Sequence, residues 1–210
     1  MEYRYYEIPA GSPVLALLGD KWVQNYGRDI DYLHFHNHLE VGFCYYGEGT
    51  VTFKEDIPFD GNMFTVIPKN FPHTTTSAGD SVSYWEWLFI DADKFLREVY
   101  KDNPRMAQKV LDRVNRRAHF VRVQDKPQIG ALVQQIIGCM RERKEFYLEE
   151  VKGLTLALLL QVARWNREEA EKTEFEAGNS SLITPAIDYI SECCDRPIKV
   201  EELAAMCHIS

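Results

Sequence analysis

The hydrophobic period of this chain changes once, and that change restricts the fold more than any other feature. Between residues 39 and 90 the pattern belongs to strands. "LEVGFCYYGEGTVTF" (39–53) is rich in aromatic and β-branched residues and breaks at Gly47-Glu48-Gly49, a hairpin signal. "NMFTVIP" and "SVSYWEWLFI" follow, set apart by Gly, Pro, Asn and Asp. Strands this closely spaced, with no helix between them, build a sandwich or a barrel. Past residue 129 the period becomes helical: Ile129, Leu132, Val133, Ile136, Ile137 and Met140 form one stripe. A second helix is expected from about Glu149 to Ala170. Val151, Leu154, Leu158, Val162 and Trp165 share one face there, and Leu156, Leu159 and Leu160 widen it. A helix apolar on so many sides must be covered on more than one. We favour an antiparallel helix pair used for dimerisation; an ordinary buried helix is the alternative. Residues 171–181, "EKTEFEAGNSS", have the composition of a linker.

Composition removes several classes of function. At 210 residues the chain makes one large domain or two smaller ones, and 45% hydrophobic content supports a sizeable core. A formal charge of −8 has the wrong sign for a protein whose whole surface wraps nucleic acid. No apolar run approaches the roughly 20 residues of a membrane helix. The acidic, aromatic start "MEYRYYEIPAGSP" is unlike a signal peptide. Five cysteines, Cys44, Cys139, Cys193, Cys194 and Cys207, include no C-x-x-C and read as reduced thiols in a cytoplasm. No Gly-rich phosphate loop and no G-x-S-x-G occurs.

The candidate site is "LHFHNHLE" (33–40), which holds three of the six histidines. In an unbroken strand His34, His36, His38 and Glu40 share one face, while Phe35, Leu39, Val41 and Phe43 take the other. Two imidazoles at i and i+2 with a carboxylate can hold a divalent metal such as zinc, nickel, iron or manganese, or form the hydrogen-bonding wall of a pocket. His73, in "PKNFPH", is a fourth candidate. Trp85 and Trp87 alternate onto one face of their strand, either stacking on a ligand or packing outward against helices. Cys44 shares the histidines' parity, as half of a Cys–His pair or as a small buried thiol.

The spacing His34-x-His36, three residues, Glu40, six residues, Gly47 resembles the first motif of the cupins. "GNMFTVIPKNFPH" resembles the second. Arg28 stands where the first motif's leading Gly would fall, with Gly27 one position early; Gly61 lies one residue too far from Pro68, and Asn70 replaces the usual turn Gly. Asn tolerates the left-handed conformation such a turn needs. His38 falls between matched positions and is expected to point to solvent. The C-terminal segment "SSLITPAIDYISECCDRPIKVEELAAMCHIS" resembles the start of the DNA-binding domain of the AraC/XylS family of transcription regulators. The matching residues are Ile190, Pro197, Ile198, Leu203, Ala204 and Ser210.

That resemblance implies an α+β chain. An N-terminal arm and cupin-like double-stranded β-helix (jelly-roll) barrel would occupy residues 1–105. A helical dimerisation region follows at 106–172, a linker at 173–181, and an incomplete helix-turn-helix at 182–210. Ser210 would open a recognition helix lying beyond the chain, so promoter DNA is expected to be read by the full-length protein and not by this piece. The implied role is small-molecule sensing and homodimerisation in the cytoplasm, not catalysis. His34, His36, Glu40, His73, Trp85 and Trp87 would meet the effector. A sugar is among the effectors implied; the residues alone do not separate it from an aromatic acid. The alternative is a metal-dependent cupin enzyme, a dioxygenase or isomerase, with His34, His36, Glu40 and His73 as ligands.

Overall fold

The computed structural model describes residues 1–28, 32–169, 185–187, 189–190, 197–207 and 209. Its strands are β1 (Glu2–Arg4), β2 (Val14–Leu17), β3 (Val23–Gln24), β4 (His34–His36), β5 (Leu39–Tyr46), β6 (Gly49–Thr52), β7 (Asp56–Phe59), β8 (Met63–Val66), β9 (Thr74–Ser77), β10 (Ser83–Ile90) and β11 (His119–Arg122). The helices are α1 (Ala92–Val99), α2 (Pro104–Val114), α3 (Pro127–Glu142), α4 (Tyr147–Glu169) and α5 (Val200–Met206), with short 3-10 turns at Asp20–Trp22 and Val123–Asp125.

One antiparallel sheet runs β11-β8-β5-β10-β2, with β3 also on β10; a second group runs β7-β6-β9, and β1 pairs parallel with β4. Two reciprocal backbone bonds of 2.9 Å between His34 and His73 tie β4 to the head of β9. Turn chemistry sets these crossings. Gly47 has φ +112, and a Cβ there would lie 2.4 Å from the Ser83 hydroxyl, so only glycine fits between β5 and β6. Asn70 adopts φ +60, the left-handed state expected of it, and its amide donates to the His36 carbonyl at 2.7 Å.

The larger sheet has two buried faces. Leu39, Val41, Phe43, Phe64, Val66, Leu88 and Ile90 join the helices in one core. Cys44, Met63, Trp85, Trp87, Phe89 and Phe120 join Val51 and Phe59 from the second group of strands, and Phe53 and Phe71 from the turns beside it, in a second core. The two stripes follow the period of two along each strand. Asp91 caps α1 by accepting from the Lys94 amide at 3.0 Å, and Asn103 with Pro104 starts α2. α3 ends at Arg143 in the left-handed region, and a short turn leads into α4.

The expected boundary at residue 105 falls in the first turn of α2, and β11, from the stretch read as purely helical, pairs with β8. Sheet and helices therefore share a core. Within α4, Val151, Leu158, Leu159, Val162 and Trp165 are buried inside the chain, while Leu154, Leu156 and Leu160 remain half-exposed. Residues 185–187 and 189–190 are helical. The expected linker, Ile183, Cys193, Cys194 and Ser210 lie outside the described residues. Among the described residues no helix is long and apolar enough to cross a membrane.

Candidate functional site

The unbroken strand expected through His34, His36, His38 and Glu40 is two strands. The chain bends at Asn37-His38, so β4 lies beside β1 and β9 while β5 enters the larger sheet. His34 and His36 still share a face of β4, His73 stands across from His34, and Glu40 reaches the same place from β5. All four side chains are buried. His38 turns elsewhere. Its carbonyl accepts from His36 Nδ1 at 2.7 Å, and its half-buried ring lines a separate groove with Tyr5, Lys69 and Asp91.

The hydrogen bonds assign protons. A carbonyl only accepts, so His36 Nδ1 carries hydrogen toward His38 O, and His73 Nδ1 carries hydrogen toward Phe71 O at 2.9 Å. In the neutral rings both Nε2 atoms are then bare. They face the Glu40 carboxylate at 3.1 Å from His36 and 3.4 Å from His73. These are ion-pair distances, yet His36 Nε2 and Glu40 Oε1 form no directed hydrogen bond among the described residues. Burial alone would raise the Glu40 carboxyl; with the His73 and His36 rings protonated at Nε2 and facing it, their charge and hydrogen bonds outweigh burial and hold the group well below the usual carboxylate range. Burial, with His73 alongside, drives His34 down to about 2, so that ring stays neutral. Ligand atoms of His34, Glu40 and His73 lie within 4.8 Å of one another. With the His36 and His73 rings neutral, the cluster is a buried set of electron-pair donors, which suits a cation or the hydroxyl and amino hydrogens of a ligand.

His34, Glu40 and His73 line a cavity of about 300 Å³, whereas His36, fully buried beside them, does not reach it. Trp87, Phe89 and Leu17 line it from the larger sheet, Trp22, Gln24 and Tyr26 from the segment around β3, Thr75 from β9, and Arg4 and Tyr6 from the N-terminal arm. Tyr6 stacks on Phe89 with ring centres 3.8 Å apart, and its backbone is held on both sides by Asn37 at 2.9 Å. Tyr26 donates to the Trp22 carbonyl at 2.7 Å, and burial pushes its phenol up to about 12. Trp85 lies parallel to Trp87 at 4.9 Å but does not reach the cavity. Burial and Asp60 raise the Cys44 thiol to about 12, and its Sγ donates to the Tyr46 carbonyl at 3.6 Å, so it packs as a protonated thiol.

Sequence reasoning missed Trp22, Tyr26 and Phe89. Phe89 was within reach, since it continues the alternation of Trp85 and Trp87. The others had no local signal, because their partners lie far along the chain.

No protein-family model and no curated protein matches the chain. Solved structures do. ToxT from Vibrio cholerae O395 superposes with a TM-score of 0.51 at 11% identity, over 95% of this chain and 69% of ToxT. The same protein bound to (E)-4-(8-methylnaphthalen-1-yl)but-3-enoic acid gives 0.51 at 11% identity, over 95% and 71%. The AraC-like transcriptional activator CuxR gives 0.44 at 14% identity, over 83% and 58%. ToxT and CuxR are regulators of the AraC family. At this level of identity the likeness to ToxT shows a shared fold and nothing more.

Proposed function

We propose that this chain is the small-molecule-sensing and dimerisation part of a cytoplasmic, AraC-type DNA-binding transcription regulator, and not an enzyme. The observation that carries this reading is the cavity itself. One part of its lining, His34, Glu40 and His73, is polar and buried, and another, Trp87, Phe89 and Tyr6, is aromatic. Aromatic faces beside convergent polar groups are how a fold holds a sugar or a small aromatic acid. The fold shared with ToxT supports the class, and a ToxT structure carrying an aryl-butenoic acid supports an organic effector. We read the strands as a cupin-like jelly-roll, residues 106–172 as the dimerisation region, and the stretch from 182 as the beginning of a helix-turn-helix. The half-exposed Leu156 and Leu160 of α4, one turn apart, are the face offered to a second copy. A calorimetric screen of neutral sugars and aromatic acids tests the pocket. Binding that disappears in Trp87→Ala and persists in an exposed control supports the reading; binding indifferent to Trp87 and His73 overturns it. Sedimentation of wild type and Leu160→Glu tests the interface, with a dimer expected only in the first.

A second reading is a metal-dependent cupin enzyme, and the bare Nε2 atoms facing a carboxylate favour it. The residues fit: backbone carbonyls orient both rings as metal-binding histidines are usually oriented. His34, Glu40 and His73, with His36 beside them, would hold the ion, which would supply Lewis-acid polarisation of a bound oxygen. Elemental analysis after equilibration with zinc, nickel or manganese decides. One ion per chain, lost in His73→Ala, favours the enzyme; substoichiometric metal unaffected by that change dismisses it.

A further inference from the structure

Glu86 is a buried carboxylate that the pocket does not use. It sits on β10 between Trp85 and Trp87 and so points to the opposite side of the sheet, toward the helices. Four donors converge on it. The Gly19 amide and the Tyr84 hydroxyl reach Oε1 at 2.8 Å each. The Tyr45 hydroxyl reaches Oε2 at 2.7 Å, and Arg141, in the last turn of α3, pairs with the same oxygen. Glu86 is 0% exposed and the Arg141 side chain 48% exposed. The ion pair is therefore anchored inside and approached from the surface.

Gly19 makes this network more than structural glue. Its backbone lies at φ +94, ψ −176, a region open in practice only to glycine. The next three residues form the turn Asp20–Trp22, and Trp22 with Gln24 lines the cavity. The Trp22 indole NH is buried and finds no acceptor among the described residues. The Trp22 ring is therefore held by packing alone, while the rest of the segment is tied by β3 on β10 and by the Tyr26 hydroxyl on the Trp22 carbonyl. One covalent and ionic path thus runs from the end of α3 through Arg141, Glu86 and Gly19 to the pocket wall.

We propose that Glu86 is a positioning residue that couples the wall segment 18–26 of the pocket to the end of α3. A buried carboxylate tolerates loss of a donor poorly, so a shift of the wall that withdraws the Gly19 amide alters what the carboxylate demands of Arg141. The coupling is reciprocal: moving the end of α3 changes the stability of the wall. A ligand pressing on Trp22 is thereby felt at the α3–α4 turn. This last consequence rests on reading the cavity as an effector pocket; the coupling itself does not.

The test needs no ligand. Amide hydrogen exchange is followed by segment in wild type, Arg141→Ala and Arg141→Lys. In Arg141→Ala the amides of residues 18–26 should exchange about tenfold faster, with β6, β7 and β9 unchanged, and the lysine variant should recover much of the protection. Wild-type protection of 18–26 in Arg141→Ala overturns the proposal, as does equal acceleration throughout the chain, which marks a merely structural role. If Arg141→Ala does not fold, Arg141→Gln keeps the shape without the charge and is read the same way. A chain that binds no small molecule would leave this result standing, so the two readings fail separately.

Discussion

Gly42 on β5 lies beneath the Trp87 ring, and replacing it with alanine should distort the pocket from below. A Cβ there would come within 2.3 Å of Trp87 Cζ3, 2.6 Å of Cε3 and 2.8 Å of the Thr65 hydroxyl. Carbon contacts need nearly 4 Å, so the indole must retreat by more than about 1 Å. It has little room, because Trp85 lies parallel to it with ring centres 4.9 Å apart. Thr65 is pinned too, since its hydroxyl accepts from the Gly42 amide at 2.9 Å. The backbone of Gly42 is not in the left-handed region, so the cost is one of packing alone. Overfilling of a packed core typically costs about 1–3 kcal/mol. For a domain of this size that lowers Tm by roughly 2–12 °C. Calorimetry measures it, and Trp87→Leu provides the control by removing the ring atoms that clash. Gly42→Ala should cost at least about 1 kcal/mol less in the Trp87→Leu background than in wild type. An unchanged Tm, or the same loss in both backgrounds, would refute the reasoning.

Three further outcomes are expected. Burial alone would raise Glu86, but Arg141, Tyr45, the Gly19 amide and Tyr84 hold it below its ordinary 4.5. Its contribution is therefore present above pH 4.5 and is lost as pH falls from there through the lowered value. Glu86→Gln should flatten that acid limb in denaturant titrations run at successive pH. Asn37→Ala removes both backbone anchors of Tyr6 and should release the arm to limited proteolysis, whereas Tyr6→Leu, which loses only the stack on Phe89, should cost about 0.5–1.5 kcal/mol and leave the arm protected. Asn166 accepts from His119 Nε2 at 2.5 Å and donates to the Arg113 carbonyl at 2.6 Å, so Asn166→Ala should lose about 1–3 kcal/mol in urea unfolding.

The sequence made the clustering of His34, His36, Glu40 and His73 legible, but by a route the chain does not take. Parity along one strand was the argument, yet the chain bends at Asn37-His38 and carries Glu40 into another sheet. The cluster forms because β4 and β5 present facing surfaces, which a single strand's alternation cannot reveal. The two long helices were plain from their stripes. α1 and α2 were not, because each buries few residues, although Asp91 and Asn103-Pro104 were cap signals in view. β11 was invisible because its partner, β8, lies across two helices. The face of Trp85 and Trp87 stayed open because both sides of β10 are buried, so polarity marks neither as the inside.

β10 is the single strand that both chambers of this molecule own. Trp87 and Phe89 line the cavity while Glu86, Leu88 and Ile90 meet the helices, so neighbouring residues of one strand answer to different surroundings. A substitution at 87 or 89 reshapes the cavity wall, whereas one at 86, 88 or 90 is felt on the side of the sheet that the helices cover.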